Sequence, residues 1–343
     1  MNVAVIGLGK MGVLHTGILS SINDVTIKAV AEKEGMLKNF VKTMLPKLNV
    51  YDDYEKMLSE ENLDLVYITT PVKYHVPIAL SCAKKNINFF MEKPLATNLT
   101  DCKQLCNELK NKKITTAVGY SKRFWETFSK AKELLDSNIL GDIIYVKSSM
   151  YISQLFTKGK GWRFTKEQSG GGVLLDSGVH VVDLLLWYFG KIKSVSGTVK
   201  SYYSSEVEDF AHASLEFENG AKGYIDTSWS VKGCRVPEIN IEVHGSNGTM
   251  IVNDDNVRFG LENGLGKYSK GTNVMYKQEL FHGSVIDIGG LDFTKEDLHV
   301  IECAKEKKQT IFNVFEASKT QSVVEAIYNS ASENKTKQVE YIN

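Results

Sequence analysis

Over the first 120 residues, short apolar runs alternate with stretches of helical spacing. Asn2 to Ile6 is a β-branched run, Met11 to Ser21 has helical spacing, and Val25 to Ala31 is apolar again. Phe40 to Leu48 reads as a helix that stops near Pro46, and Asn49 to Tyr51 as a short strand. Leu65 to Thr69 reads as a buried strand, His75 to Lys84 as a helix and Asn88 to Met91 as a strand. Leu99 to Lys112 reads as a helix and Ile114 to Gly119 as a strand. Strands alternating with helical segments predict βαβ units and a parallel sheet. Right-handed crossovers make that sheet doubly wound.

The rhythm changes after Gly119. Helices are expected at Phe124 to Asn138, Leu174 to Phe189, Phe293 to Lys305 and Ala317 to Ala331. Strands are expected at Ile143 to Ile152, Val195 to Tyr203, Phe210 to Phe217, Ala221 to Val231, Pro237 to Val243, Thr249 to Asn253 and Val257 to Phe259. Asn219-Gly220 and Asn247-Gly248 have hairpin-turn composition. The expected fold class is therefore α/β: a doubly wound domain over residues 1–120, then an α+β domain with an open, mostly antiparallel sheet over 121–343. The stretch from Gly260 to Gly290 has little periodicity and reads as a loop.

Composition narrows the classes without naming a function. The 343 residues are 43% hydrophobic and 24% charged, which excludes a largely disordered chain. Lys plus Arg and Asp plus Glu balance at 41 each, so no excess basic charge points to nucleic acid. The five cysteines form no C-x-x-C pair and no zinc spacing, so no metal is expected. No leader pattern and no unbroken apolar run near eighteen residues is visible, so the expected setting is cytoplasmic, without membrane.

Two regions carry chemistry. Gly7-Leu8-Gly9-Lys10-Met11-Gly12 is G-x-G-x-x-G, following a strand and opening a helix, with Glu32 twenty residues beyond Gly12 at the end of the second strand. In that context it is a dinucleotide fingerprint. Gly7 allows the tight turn, Gly9 lets a pyrophosphate approach, Gly12 lets helix pack on strand, and the helix start at Lys10 and Met11 faces the phosphates. Glu32 suits a ribose diol and favours NAD; Lys33 beside it keeps NADP open. Thr70 and Pro71 follow the fourth strand and His75 opens the next helix, at a carboxyl strand end where ligands of open α/β sheets sit. His75 serves equally as a helix-start cap. Glu92-Lys93-Pro94 follows the fifth strand, where a lysine beside a nicotinamide could stabilise a developing oxyanion. A solvated lysine before a turn is the alternative.

The second region is Asp176, His180 and Asp183, within roughly 60° of one another on an α-helical face. The helix around them is apolar on nearly every side, so these groups need partners or a polar pocket. They read as a general acid/base with carboxylates beside it, and a structural Asp-His pair is the alternative. Gly170-Gly171-Gly172 precedes them.

The glycine loop, Glu92-Lys93-Pro94 and the later Gly-Gly-Gly…Asp-x-Gly-x-His-x-x-Asp, in this order, resemble the Gfo/Idh/MocA oxidoreductases over nearly the whole chain. The resemblance implies a Rossmann domain, a second domain with an open sheet, and hydride transfer between a ring hydroxyl carbon and nicotinamide. It implies Lys93 as the active-site lysine and His180 as the acid/base residue, with Asp176 and Asp183 orienting it or binding substrate. It places Arg123 near the substrate and Arg163 along the cleft; Lys160 and Arg163 could serve the diphosphate of a nucleotide sugar. Tyr151 and Trp229 are candidate pocket walls. A sugar or cyclitol substrate and a homodimer or homotetramer are expected. Remaining alternatives are a nucleotide-sugar dehydrogenase, a glycoside-cleaving enzyme using bound NAD, and a non-catalytic sensor.

Overall fold

A computed structural model describes residues 1–343 except 36–37, 40–42, 44–47, 154, 158, 282, 284–286 and 343. The helix expected at Phe40 to Leu48 falls almost wholly outside the described residues. The chain forms two compact units, Met1–Ser121 with Ser284–Ser318, and Lys122–Gly283 with Lys319–Asn343. The second domain expected as one run over 121–343 is therefore interrupted. Segment 284–318 joins the first unit, where Thr310 Oγ1 donates to the Thr116 carbonyl at 2.7 Å and Val118 N donates to the Phe312 carbonyl at 3.0 Å.

The first unit holds strands β1 (Asn2–Ile6), β2 (Thr26–Ala31), β3 (Asn49–Tyr51), β4 (Leu65–Ile68), β5 (Asn88–Met91) and β6 (Thr116–Val118). They form one sheet in the order β3-β2-β1-β4-β5-β6, and every pairing is parallel. All four residues of β4 are buried, because helices cover both faces of such a sheet and leave no polar side to alternate. Its helices are α1 (Lys10–Ser21), α2 (Tyr54–Glu60), α3 (His75–Lys84) and α4 (Leu99–Leu109). Helix α2 has no counterpart among the expected elements. It is only seven residues long, started by the Asp53 carboxylate accepting from Glu55 N at 2.9 Å. Strand order reverses between β1 and β4, and a doubly wound sheet takes its ligand at that reversal.

The second unit holds α5 (Glu126–Asp136), α6 (Val179–Phe189) and β7 (Ile143–Tyr151), β8 (Ile192–Lys200), β9 (Phe210–Phe217), β10 (Lys222–Ser228), β11 (Glu238–Gly245), β12 (Gly248–Asn253), β13 (Asn256–Leu261), β14 (Gly271–Tyr276) and β15 (Lys337–Gln338). Nine strands form one sheet, ordered β14-β13-β12-β11-β7-β10-β9-β8-β15. Among the described residues of this sheet, β10 with β7 is the one parallel pairing. Burial alternates along β9 and β10, so one face packs inward and the other carries polar and aromatic side chains. Strand β14 corrects the loop expected from Gly260 to Gly290. Among the described residues it pairs on one edge, with β13, and none of its own residues is buried, so no apolar period marks it. Helix α7 (Leu291–Glu306) belongs to the returning segment of the first unit, and α8 (Val314–Glu333) follows it along the chain.

The helical run Lys166–Phe189 reaches a mean hydropathy of 1.4 over eighteen residues, enough by composition to cross a membrane, and 78% of that window is buried inside the protein.

Candidate functional site

In the first unit, the glycine loop leaves the end of β1. Gly7 has φ +91°, a left-handed conformation that a side chain would strain. A Cβ on Gly12 would lie 2.0 Å from the Gly7 carbonyl oxygen, so α1 can start against the loop only with glycine there. A Cβ on Gly9 would meet nothing within 4 Å. That open space lies at the N-terminus of α1, whose Lys10, Met11 and Gly12 are first-turn residues with amides that lack intrahelical acceptors. Glu32 sits at the loop: its Oε2 accepts from Leu8 N at 2.6 Å and its Oε1 from Glu34 N at 2.8 Å. Thr69 Oγ1 donates to the Gly7 carbonyl at 2.6 Å, tying the end of β4 to the loop. Beside it the Thr70 hydroxyl is buried with no hydrogen-bond partner among the described residues, and Pro71 leads into α3. Room at Gly9, a helix start and an orphan hydroxyl fit a bound dinucleotide.

His75 is 1% exposed, with Nδ1 2.9 Å from the Pro94 carbonyl and Nε2 2.9 Å from the Thr70 carbonyl. Burial lowers its pKa. Its ring ties the segment after β4 to the residue after Lys93, so it acts on the loop rather than as an exposed edge. Glu92 is 8% exposed. Its Oε1 lies 3.0 Å from His15 Nε2, and its Oε2 accepts from Lys93 N at 3.2 Å. Lys93 itself is half-buried. Neither His15 nor Asp297, which bonds the same imidazole, stands out in the sequence. The only signal is a histidine three residues past Gly12, on the buried side of α1.

In the second unit, the expected helix from Leu174 begins with a π turn over Leu174–Gly178, followed by α6. A π turn winds with i→i+5 bonds, so the helix is wider at Asp176 than in the α-helical stretch that carries His180 and Asp183. The Asp176 carboxylate lies 4.0 Å from Arg163 Nε and 3.5 Å from Ser177 Oγ. His180 is half-buried on the first turn of α6. Asp183 is 1% exposed, and Arg123 grips it from two sides, Nε to Oδ2 at 2.8 Å and Nη2 to Oδ1 at 2.6 Å. Arg123 is itself 5% exposed and lies 5.6 Å from the Trp187 ring centre. In this buried fork each charge is paired with the other. Arg163 and Lys160 are exposed. Trp229, expected on a pocket wall, is a core residue with Leu155, Val173 and Val207, and its Nε1 donates to Ser177 Oγ at 3.1 Å. Tyr151 is half-buried on β7, its pKa pushed up to about 12 by burial and by Asp226.

The triple glycine explains how this helix starts. A Cβ on Gly172 would lie 1.8 Å from the Glu208 carbonyl oxygen, and one on Gly171 would lie 2.2 Å from the Tyr328 hydroxyl. The buried Glu208 carboxylate accepts from Gly172 N at 2.8 Å, Leu174 N at 3.0 Å and Tyr328 Oη at 2.8 Å. It therefore caps the orphan amides at the start of the helix that carries His180. Its pKa is raised by burial, against the pull of those donors. Glu208 and Tyr328 belong to no motif, and no sequence signal singles them out.

A family model described as an oxidoreductase family with an NAD-binding Rossmann fold matches residues 1–120, and the GFO/IDH/MocA C-terminal domain matches residues 128–251. The chain belongs to the GFO/IDH/MocA oxidoreductase family. It is an enzyme of the dehydrogenase type with an NAD-binding domain. The chain is 28% identical to the myo-inositol 2-dehydrogenase of Thermotoga maritima over 75% of this chain and 76% of that protein. It is 25% identical to the D-glucoside 3-dehydrogenase of Escherichia coli over 67% of this chain and 71% of that protein. The structure of levoglucosan dehydrogenase in complex with NADH superposes with a TM-score of 0.90 at 21% identity, covering 99% of each chain, and so shares the fold.

Proposed function

We propose that this protein oxidises a ring hydroxyl of a sugar or cyclitol, passing hydride to NAD, with Lys93 and His180 as its catalytic residues. The observation that carries the reading is the Glu92-Lys93-Pro94 turn. It follows β5, next to β4 and the complete glycine loop, in a sheet whose ligand side is fixed by strand order. The bound nicotinamide supplies the hydride acceptor. The Lys93 ammonium donates to the substrate oxygen and stabilises charge growing there. The His180 imidazole takes the hydroxyl proton. Asp176 lies one turn before His180 and offers an acceptor for a second hydroxyl.

Relatives named for inositol, glucoside and levoglucosan oxidation support this substrate class. Arg163 supports an unphosphorylated ring, because its guanidinium faces Asp176 at 4.0 Å and that carboxylate offsets its charge. Glu32 supports NAD over NADP: its carboxylate lies at the glycine loop, where a ribose 2′-phosphate would meet like charge. The polar sheet face around Tyr224, with Tyr145, His212 and Asp226, supports a homodimer or homotetramer formed through this sheet. Five free cysteines, four of them buried, support a cytoplasmic setting. We propose no role for nucleic acid or membrane.

The test is a panel of cyclitols, free sugars and nucleotide sugars, assayed with NAD and with NADP by absorbance of the reduced cofactor. Turnover on a free ring with NAD is expected. A panel in which only nucleotide sugars react would replace the substrate, and a panel with no reaction at all would favour a sensor.

A further inference from the structure

Lys93 is flanked by two residues that buried histidines hold. On one side His75 ties the Pro94 carbonyl. On the other, His15 from α1 bonds Glu92 and also Asp297 from α7. His15 and Asp297 are 0% exposed. The rings of Phe90, Tyr67 and Phe293 stand 4.8, 5.4 and 6.2 Å from the imidazole, so its walls are otherwise aromatic. Both Asp297 oxygens lie 2.9 Å from Nδ1, and Glu92 Oε1 lies 3.0 Å from Nε2. Ionised carboxylates only accept hydrogen bonds, so a ring between two of them donates from both nitrogens and is cationic. The remaining Glu92 oxygen, Oε2, receives the Lys93 amide at 3.2 Å. An unbroken string of bonds therefore runs from Asp297 through His15 and Glu92 to the backbone of Lys93.

We propose that His15 is a positioning residue of the dehydrogenase: held by Asp297, it locks the Glu92 carboxylate against the Lys93 amide and so fixes where the lysine side chain starts. The proposal rests on the reading of Lys93 as the active-site lysine. Uncharged replacement at position 15 leaves Glu92 without its cation, and the carboxylate is then free to turn away from the amide. Gly119 marks how closely Glu92 is confined, since a Cβ there would stand 3.2 Å from Oε2.

The test uses the full-length protein with His15→Gln and Asp297→Asn, alone and each combined with Lys93→Met. Three measurements are made: NADH affinity by fluorescence titration, kcat and KM on the best substrate of the panel, and the carbon-13 resonance of reductively methylated Lys93, assigned by its loss in Lys93→Met. We expect NADH Kd within about twofold of the parent, a shifted Lys93 resonance, and kcat lower by about ten- to a hundredfold, the scale of a misplaced catalytic group. In the Lys93→Met background the same substitution should change turnover by less than about twofold, because its effect runs through the lysine. An unmoved Lys93 resonance overturns the proposal. So does a full loss of turnover added on top of Lys93→Met, which would make His15 a general support of the fold. If Lys93→Met alone keeps turnover, the catalytic reading of the lysine fails, and the resonance still decides whether His15 positions it. If His15→Gln does not fold, Asp297→Asn carries the same three measurements.

Discussion

Beside Lys93, in the first unit, a buried cation sits between carboxylates; at the start of the helix carrying His180, in the second, a buried anion sits among donors. His15 is bracketed by Asp297 and Glu92. Glu208 is bracketed by two backbone amides and the Tyr328 hydroxyl. Burying a lone charge is prohibitive, so each is buried only with its bonds made. The difference lies in what is held. In the first unit, side-chain charges hold the residue before a lysine, and the bond network can be changed without breaking secondary structure. In the second, the anion holds the backbone at a helix start, and the glycines let that backbone come within contact of Glu208. Perturbing the first should therefore move catalysis, and perturbing the second should move stability.

The largest expected effect tests the first half of that contrast. Lys93→Met should lower kcat by about 10²–10³ while NADH binding and melting behaviour stay near the parent, since one oxyanion donor is worth that much. His180→Asn should likewise remove most turnover, general-base contributions being about 10²–10⁴. A Lys93→Met enzyme with turnover within about threefold of the parent would remove the lysine from the mechanism.

Next comes the helix start. Gly172→Ala should destabilise by about 3 kcal/mol in urea melts, because a Cβ 1.8 Å from the Glu208 carbonyl forces backbone to move. Glu208→Ala should cost about 1–3 kcal/mol for each donor left without an acceptor. Gly9→Ala is the control: its Cβ would meet nothing within 4 Å, so its stability should stay within about 0.5 kcal/mol of the parent while NAD binding weakens. If Gly9→Ala and Gly172→Ala melt alike, close approach is not what requires glycine at 172.

What the sequence shows and hides follows the same division. The strand-helix alternation, the glycine loop and the positions of Glu32 and Lys93 just after strands are legible because local spacing encodes them. The buried partners are not: Asp297 reaches His15, and Tyr328 reaches Glu208, only through tertiary packing. The helical spacing of Asp176, His180 and Asp183 reads as a helix, and nothing in the composition of Leu174–Gly178 announces the π turn at its start. The family resemblance places Arg123 near the substrate, and its pairing with Asp183 across the fold has no local signal in the sequence. Strand β14 stayed hidden because an exposed edge strand has no apolar period.

The charged cluster of the first unit also predicts a pH dependence. Groups facing His15 are Glu92, Asp297 and Tyr67, with Glu296 and Asp292 nearby on α7. The His15 pKa lies well above its ordinary value: Asp297 and Glu92 outweigh the opposing effect of burial. Burial raises Asp297, and burial with Glu92 raises Glu296 well above the carboxylate range. All three shifts mean that the folded state binds more protons than the unfolded chain, so stability falls as pH rises. The His15 contribution is fully present below about pH 6.5 and is lost as pH climbs through its folded-state value. Urea midpoints of the parent should therefore decline on the alkaline side, and His15→Gln should flatten that slope. A parent that gains stability from pH 6 to pH 9 would contradict the assignment.

Glu32 gives the smallest effect and the sharpest form of the comparison, because it uses the device of Glu208 in a more open place. Its carboxylate also accepts two backbone amides, from Leu8 at 2.6 Å and Glu34 at 2.8 Å. Unlike Glu208 it is only half-buried, so water can take over those amides when the carboxylate is removed. Glu32→Ser should consequently cost under about 1 kcal/mol of stability, within the range of an exposed cap. Its main effect should fall on cofactor choice: NAD binding should weaken and NADP should gain by about tenfold relative to it, since repulsion of a 2′-phosphate is removed and Lys33 stands beside it. Paired titrations of NAD and NADP with a urea melt separate the two outcomes. A large loss of stability with no change in preference would make Glu32 a brace of the glycine loop, and a parent that already prefers NADP would assign the ribose contact to Lys33.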